Sequence, residues 1–276
     1  MIHHARIRSV EAGVRVLKVG SATHAGNVRE TNEDSLCALI GGESPPGADA
    51  LLAVADGVGG HVAGEVASRL AVQRLIAELF VSLGSAVDAS GPGRLSGLLE
   101  RAIAGSNAFV HRASASEGRQ GMGSTLTVAL VVGMTAVIGH VGDSRAYLLR
   151  GGTMRQLTRD HTWVAQQIAA GGLTEAQATR HPRRNVLTRA LGTAPTVKVD
   201  TEVVGLAEGD DLLLCSDGIY GLLDDQEMAK IIASLGPQEA CDHLVSRANE
   251  EGGHDNSTAV VLLVGQRSDD PAGSDR

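Results

Sequence analysis

Four stretches of this 276-residue chain join an apolar strand to an aspartate. LLAVADG leads into Asp56, AVIGHVGD ends at Asp143, LLLCSDG leads into Asp217, and DNSTAVVLLV begins at Asp255. A carboxylate at the mouth of a buried strand is costly unless its charge is met, so four in one domain point to convergence on a hard cation. Upstream, HAGNVRETNEDS supplies Arg29, Glu33 and Asp34 just before another strand. Arginine presents a planar fork of donors suited to two phosphate oxygens, and neighbouring acids can hold water or orient that arginine. A surface ion-pair cluster would use the same residue types.

The glycine-rich DGVGGHVAGE, residues 56–65, invites comparison with phosphate-binding loops. Val62 stands where a dinucleotide fingerprint needs its third glycine, and no lysine follows in Walker register. The segment offers a strand-end carboxylate, a glycine carbonyl able to face a cation, and His61 shortly afterwards. A metal site suits it better than a dinucleotide, with a glycine-rich turn capped by aspartate as the plainer alternative.

The elements that must position these residues follow from patterning. Residues 16–23 and 34–40 read as strands, a Gly/Pro-rich loop follows, and 51–55 forms a short buried strand. Helical spacing of Val66, Leu70, Leu75, Ile76 and Leu79 predicts a helix over 63–83, with a second over 95–115. Residues 124–158 read as an antiparallel meander with turns at Gly133-Met134 and Gly151-Gly152. A helical, arginine-containing insertion spans 159–192, followed by a strand pair at 196–204 and 211–216, a helix over 238–250 and a last strand over 258–264. Hairpin strands interrupted by paired helices indicate an α+β layered sandwich rather than a doubly wound parallel sheet.

Length and 43% hydrophobic content suit one well-buried domain. The expected organisation is an N-terminal segment over 1–13, a main domain over 14–265 and a polar tail over 266–276. A net charge of -8 without a long basic run gives no footprint for nucleic acid. Cys37, Cys215 and Cys241, without a CxxC pair, argue against a disulfide framework or a structural zinc site. No segment reaches the roughly 18 uncharged apolar residues of a membrane span, so a soluble, cytoplasmic protein is expected.

Taken in order, the pieces resemble the metal-dependent protein serine/threonine phosphatases of the type 2C family in their compact bacterial form. The resemblance rests on GNVRETNED, VADGVGGHVAGEVAS, GMGSTL, GHVGDSRAYLLR, LTRDHTWV, HPRRNVLTRALG, LLLCSDGIYGLL and HDNSTAVVL, and spans roughly residues 14–265. It implies a four-layer α-β-β-α sandwich with two central antiparallel sheets flanked by helix pairs, and an active site in the cleft at one end. In that family the position of Asp56 bridges two divalent metals, the carbonyl at Gly57 completes one of them, and Asp217 and Asp255 match the remaining carboxylate ligands. Asp143 matches a ligand of a third, weaker metal. Hard oxygen donors without a His or Cys cluster imply Mn²⁺ or Mg²⁺.

The implied reaction is hydrolysis of phosphoserine and phosphothreonine in proteins, opposing serine/threonine kinases. Two cations roughly 3.5–4 Å apart can hold a water for in-line attack on phosphorus. Arg29 matches the phosphate-binding arginine, Glu33 and Asp34 match outer positions, and His61 is the candidate proton donor to the leaving alkoxide. Val58 stands where bacterial members usually carry Met. The insertion at 159–192 is expected to act as a flap that gates access and shapes peptide preference, with Trp163 as its packing anchor. The partners implied are phosphorylated proteins, kinases among them, acted on by a monomer. A phosphate-recognition module without turnover and a nucleotide-dependent oxidoreductase are the competing readings.

Overall fold

The computed structural model describes residues 8–12, 15–59, 62–84, 91–115 and 120–265. His61, the extreme N-terminus and the tail over 266–276 lie outside them.

One sheet runs in the order β1 (Arg8–Ala12), β2 (Arg15–His24), β12 (Ser257–Val264), β11 (Asp211–Cys215), β8 (Arg145–Arg150), β9 (Thr153–Gln156). The other runs β10 (Asp200–Gly205), β7 (Thr135–Val141), β6 (Leu126–Val132), β4 (Ala50–Val58), β3 (Asp34–Ile40), with the short β5 (Gly123–Ser124) pairing the end of β4. Every pairing among them is antiparallel. Helices α1 (Val62–Gly84) and α2 (Pro92–Ser114) cover the second sheet. The excursion after β9 carries α3 (Trp163–Ala169) and α4 (Glu175–Thr179). Helices α5 (Asp217–Tyr220), α6 (Asp225–Ser234) and α7 (Pro237–Glu250) lie on the first sheet. The layers are α-β-β-α, as the family resemblance implies, and they agree with the layered sandwich that the hairpins and helix pairs indicate.

The two-residue period of the strands explains why the inner strands are apolar throughout. In β4, Ala50, Leu52 and Val54 join the core between the sheets, whereas Leu51, Ala53 and Ala55 join the core beneath α1 and α2. In β12, Val260, Leu262 and Val264 face the inter-sheet core while Ala259 and Val261 face α7. Each strand therefore has two buried faces and can show little polar alternation.

Several expectations change in detail. The meander is divided between the sheets: β6 and β7 belong to one, β8 and β9 to the other. The chain crosses over at Gly142, whose φ of 112° and whose approach to Thr125, 2.6 Å from where a Cβ would lie, suit only glycine. The strands expected to pair at 196–204 and 211–216 do not meet: β10 pairs β7, and β11 sits between β12 and β8. Strand β4 runs on to Val58, so Asp56 and Gly57 lie within it rather than beyond it. Helices α5 and α6 and the pairing of Arg8–Ala12 with β2 have no counterpart in the periodicity reading.

Candidate active site

The alternation that builds the inter-sheet core also builds the site. Continuing the core-facing rows toward one end of the sandwich replaces aliphatic residues by Thr23 on β2, Asp34 on β3, Asp56 on β4, Ser216 after β11 and Thr258 on β12. Asp34 and Asp56 are direct register partners. Asp34, buried, accepts hydrogen bonds on Oδ2 from Ser216 Oγ at 2.7 Å and Thr258 Oγ1 at 2.6 Å. The Thr258 hydroxyl in turn lies 2.7 Å from that of Thr23, which accepts from Asn32 Nδ2 at 2.8 Å. One face of Asp34 is thus saturated while its Oδ1 is buried without a partner.

Above this layer a cleft of about 240 Å³ is lined by Arg29, Glu33, Asp56, Gly57, Asp143, Asp217 and Asp255. The structure thereby brings together seven of the residues singled out from sequence, with Asp34 behind Asp56. Burial raises the carboxyl of Asp143 to about 8 and that of Asp217 to about 6, each helped by the charge of a neighbouring aspartate. Asp34 is raised to about 7, again chiefly by burial, and Asp56 is held well above the usual carboxylate range by burial and by the surrounding acids. Asp217 Oδ1 is, like Asp34 Oδ1, a buried oxygen with no hydrogen-bond donor.

This is the electrostatic signature of a cation site. A set of mutually repelling, desolvated carboxylates with orphaned oxygens fits hard divalent ions, which take oxygen donors and keep room for water. Among the described residues no three His, Cys, Asp or Glu groups are closed around one point; the acids line the walls of an open cleft. That arrangement leaves positions for solvent and substrate oxygen.

Supporting contacts fix each carboxylate-bearing segment. The Asp56 main chain is held on both sides: its N–H donates to Thr125 Oγ1 at 2.8 Å, and its carbonyl accepts from the Thr125 N–H at 2.8 Å. The carbonyl of Asp143 accepts from Tyr220 Oη at 2.9 Å, and the Tyr220 ring lies 3.7 Å from the Arg145 guanidinium carbon, itself paired bidentately with Asp160. Arg29 Nη2 pairs with Asp255 Oδ2 at 2.7 Å, and Asp255 Oδ1 accepts from the Asn256 N–H at 2.9 Å.

Asn256 is the residue whose importance sequence reasoning missed; it stands there only inside the block HDNSTAVVL, with no role of its own. It is buried, accepts the Glu33 N–H on Oδ1 at 2.7 Å, and donates through Nδ2 to the carbonyls of Ala25 and Thr31 at 3.0 and 2.9 Å. One side chain therefore ties the loop carrying Arg29 and Glu33 to the turn carrying Asp255. Asn256→Ala removes three hydrogen bonds to main-chain groups at the cleft edge, at about 0.5–1.5 kcal/mol for each. We expect a clearly lowered melting temperature together with a raised KM for phosphopeptide, read by thermal denaturation and steady-state kinetics; an unchanged KM would contradict this role.

The excursion over 159–192, the expected flap, is anchored at its return limb. Leu191 exchanges hydrogen bonds with Ser124, and Asn107 of α2 accepts the Gly192 N–H at 2.9 Å and donates to the Ala194 carbonyl at 3.1 Å. Trp163 stacks on His181 with ring centroids 4.7 Å apart, and Arg183 lies 5.2 Å over the indole, which makes Trp163 a packing anchor within the segment. Val58, Asn185 and Leu187 join the cleft wall without having been picked out as site residues. The dinucleotide reading has no support: both main neighbours of β4 are antiparallel, and among the described residues no parallel βαβ unit is formed.

Fold and site together define a hydrolase-type centre in which oxygen donors suited to hard cations stand beside an arginine. The chain belongs to the protein phosphatase 2C family, whose sequence pattern matches residues 19–257. It is 39% identical over 244 residues to the serine/threonine phosphatase stp of Listeria monocytogenes, covering 88% of this chain and 93% of that one. It is 36% identical over 250 residues to the serine/threonine protein phosphatase PstP of Mycobacterium tuberculosis, covering 90% of this chain and 45% of PstP. Among solved structures, the S. agalactiae serine/threonine phosphatase superposes with a TM-score of 0.81 at 30% identity, over 90% of this chain and 99% of that one. The catalytic domain of PstP in complex with two manganese ions gives 0.77 at 32% identity, over 92% and 100%.

Proposed function

We propose that this protein hydrolyses phosphoserine and phosphothreonine monoesters in proteins, using Mn²⁺ or Mg²⁺. The observation that carries the reading is the single cleft in which Arg29 faces Asp56, Asp143, Asp217 and Asp255, with a buried, unpartnered oxygen on Asp217. Asp56, Asp217, Asp255 and the Gly57 carbonyl would hold two divalent cations, and Asp143 a third, weaker one. When bound, the cations supply Lewis acidity at phosphorus and a polarised water.

The chain's own residues do the rest. Arg29, half-exposed at the rim, exchanges its contact with Asp255 for the non-bridging phosphate oxygens and offsets charge as it develops. Glu33 orients solvent at the cleft wall, and Asp34 acts from behind Asp56 through the Ser216 and Thr258 hydroxyls that hold it. His61 is the donor of the proton that the leaving alkoxide requires. No protein nucleophile enters this scheme.

The substrates are phosphorylated proteins, serine/threonine kinases among them, and the enzyme acts as a monomer in the cytoplasm. Three buried free thiols, Cys37, Cys215 and Cys241, accord with a reducing compartment. Among the described residues no helix is long and apolar enough to cross a membrane. Residues 14–265 form the catalytic unit, with the flap over 159–192 as its access element.

The test is turnover of a phosphothreonine peptide by protein stripped with chelator and titrated with Mn²⁺. Activity is expected to appear only with metal and to saturate. Activity that survives exhaustive chelation, or is absent at every Mn²⁺ concentration, would overturn the proposal.

A further inference from the structure

A second cavity of about 310 Å³ opens beside the catalytic cleft and shares Val58, Asn185 and Leu187 with it. Its remaining wall is the return limb of the flap, through Thr188, Arg189, Ala190 and Thr193. This limb is the part held to β5 and α2 by the Leu191–Ser124 and Asn107 hydrogen bonds, so the cavity has a fixed wall. No residue assigned above to cation or phosphate binding lines it.

The chemistry of the wall limits what can enter. The Thr193 hydroxyl donates to the Ala190 carbonyl at 2.9 Å, and the Thr188 hydroxyl accepts from Gln166 Nε2 at 2.9 Å. Arg189 Nη1 is paired with Asp200 Oδ1 at 2.7 Å and also donates to the Lys198 carbonyl. The one cationic group in the wall is therefore already matched, and each threonine hydroxyl already makes one hydrogen bond. Most of the lining is apolar, and Val58, Leu187 and Ala190 are its apolar residues. At the shared boundary stands Asn185, exposed, whose amide is both donor and acceptor and so complements an extended main chain.

We propose that this cavity is a substrate subsite that takes the neutral, apolar side chain of the residue next to the phosphorylated serine or threonine, with Asn185 holding the peptide main chain between the two pockets. The proposal rests on the phosphatase reading, because its position is defined by where the phosphate sits. A hydrophobic pocket of this kind discriminates between side chains by about tenfold or more in kcat/KM.

The experiment compares phosphothreonine peptides carrying leucine or aspartate beside the phosphoresidue, on each side in turn, with an aryl phosphate measured in parallel under Mn²⁺. On one of the two sides the leucine peptide is expected to be preferred by about tenfold or more. Thr193→Phe, which fills the cavity from an exposed position, should collapse that ratio severalfold. Thr193→Arg, which places a cation at its mouth, should shift the preference toward the aspartate peptide. Equal turnover of the peptides by the parent enzyme, or an unaltered ratio in both variants, would overturn the subsite while aryl phosphate hydrolysis left the phosphatase reading standing. No turnover of any substrate would remove both.

Discussion

Asp56→Asn should abolish phosphopeptide turnover by at least about 10³-fold, equivalent to about 4 kcal/mol of lost transition-state stabilisation at about 1.4 kcal/mol per decade. It should nevertheless leave the metal-free protein more stable than the parent. The two effects share one cause. Asp56 sits opposite Asp34 in the β3–β4 register, with Asp143, Asp217 and Asp255 also acting on it. Burial and these like charges both raise its carboxyl, so in the folded state it binds its proton more tightly than in the unfolded chain. Its burden on the fold is therefore absent at low pH and grows as pH rises through the unfolded value toward the folded one.

A neutral isostere removes that burden at neutral pH and also removes the charge that a cation would require. Thermal melts in chelator should place Asp56→Asn above the parent, and titration with Mn²⁺ should raise the melting temperature of the parent but much less that of the variant. A variant that kept full activity, or that was destabilised in chelator, would show that Asp56 is a structural carboxylate.

Gly218→Ala is expected to cost both stability and activity, through backbone geometry alone. A Cβ at residue 218 would lie 2.0 Å from the Asn256 carbonyl oxygen, 2.8 Å from its carbon and 3.0 Å from Ser257 Oγ. Two of these atoms are main chain and cannot rotate away, so the turn after Asp217 and the turn after Asp255 must separate. Overpacking of this kind costs about 1–3 kcal/mol, which for a domain of this size lowers the melting temperature by about 2–4 °C per kcal/mol.

The catalytic loss should be larger. The same contact keeps Asp217 and Asp255 within one cleft, and displacing reacting groups by about 1 Å can cost about 10²-fold. Gly205→Ala is the control, since nothing lies within 4 Å of a Cβ there. Melting curves and kcat/KM for the two variants decide the matter; equal behaviour would mean that the two turns tolerate separation.

Much of the site is legible in the chain's local patterns. Asp56, Asp143, Asp217 and Asp255 each adjoin an apolar strand, and that signal survives without knowledge of partners because a strand-end carboxylate is costly unless collected with others. The layered class is legible for a related reason: hairpin spacing and helical periodicity are properties of short windows. Asn256 is not, because its three ties to Ala25, Thr31 and Glu33 span more than 220 residues and no window contains both ends.

The amino-acid order alone marks which side chains are candidates for cations and phosphate, and that strands and helix pairs alternate to carry them. Which sheet each strand joins is settled only in three dimensions. β8 and β11 share a sheet although β6 and β7, adjacent to β8 in sequence, lie in the other. An apolar strand buried on both faces carries no sign of its neighbour, so pairing is settled by packing over the whole sandwich. The same packing lays the flap's return limb against β5 and α2, placing Asn185 and Leu187 beside the acids.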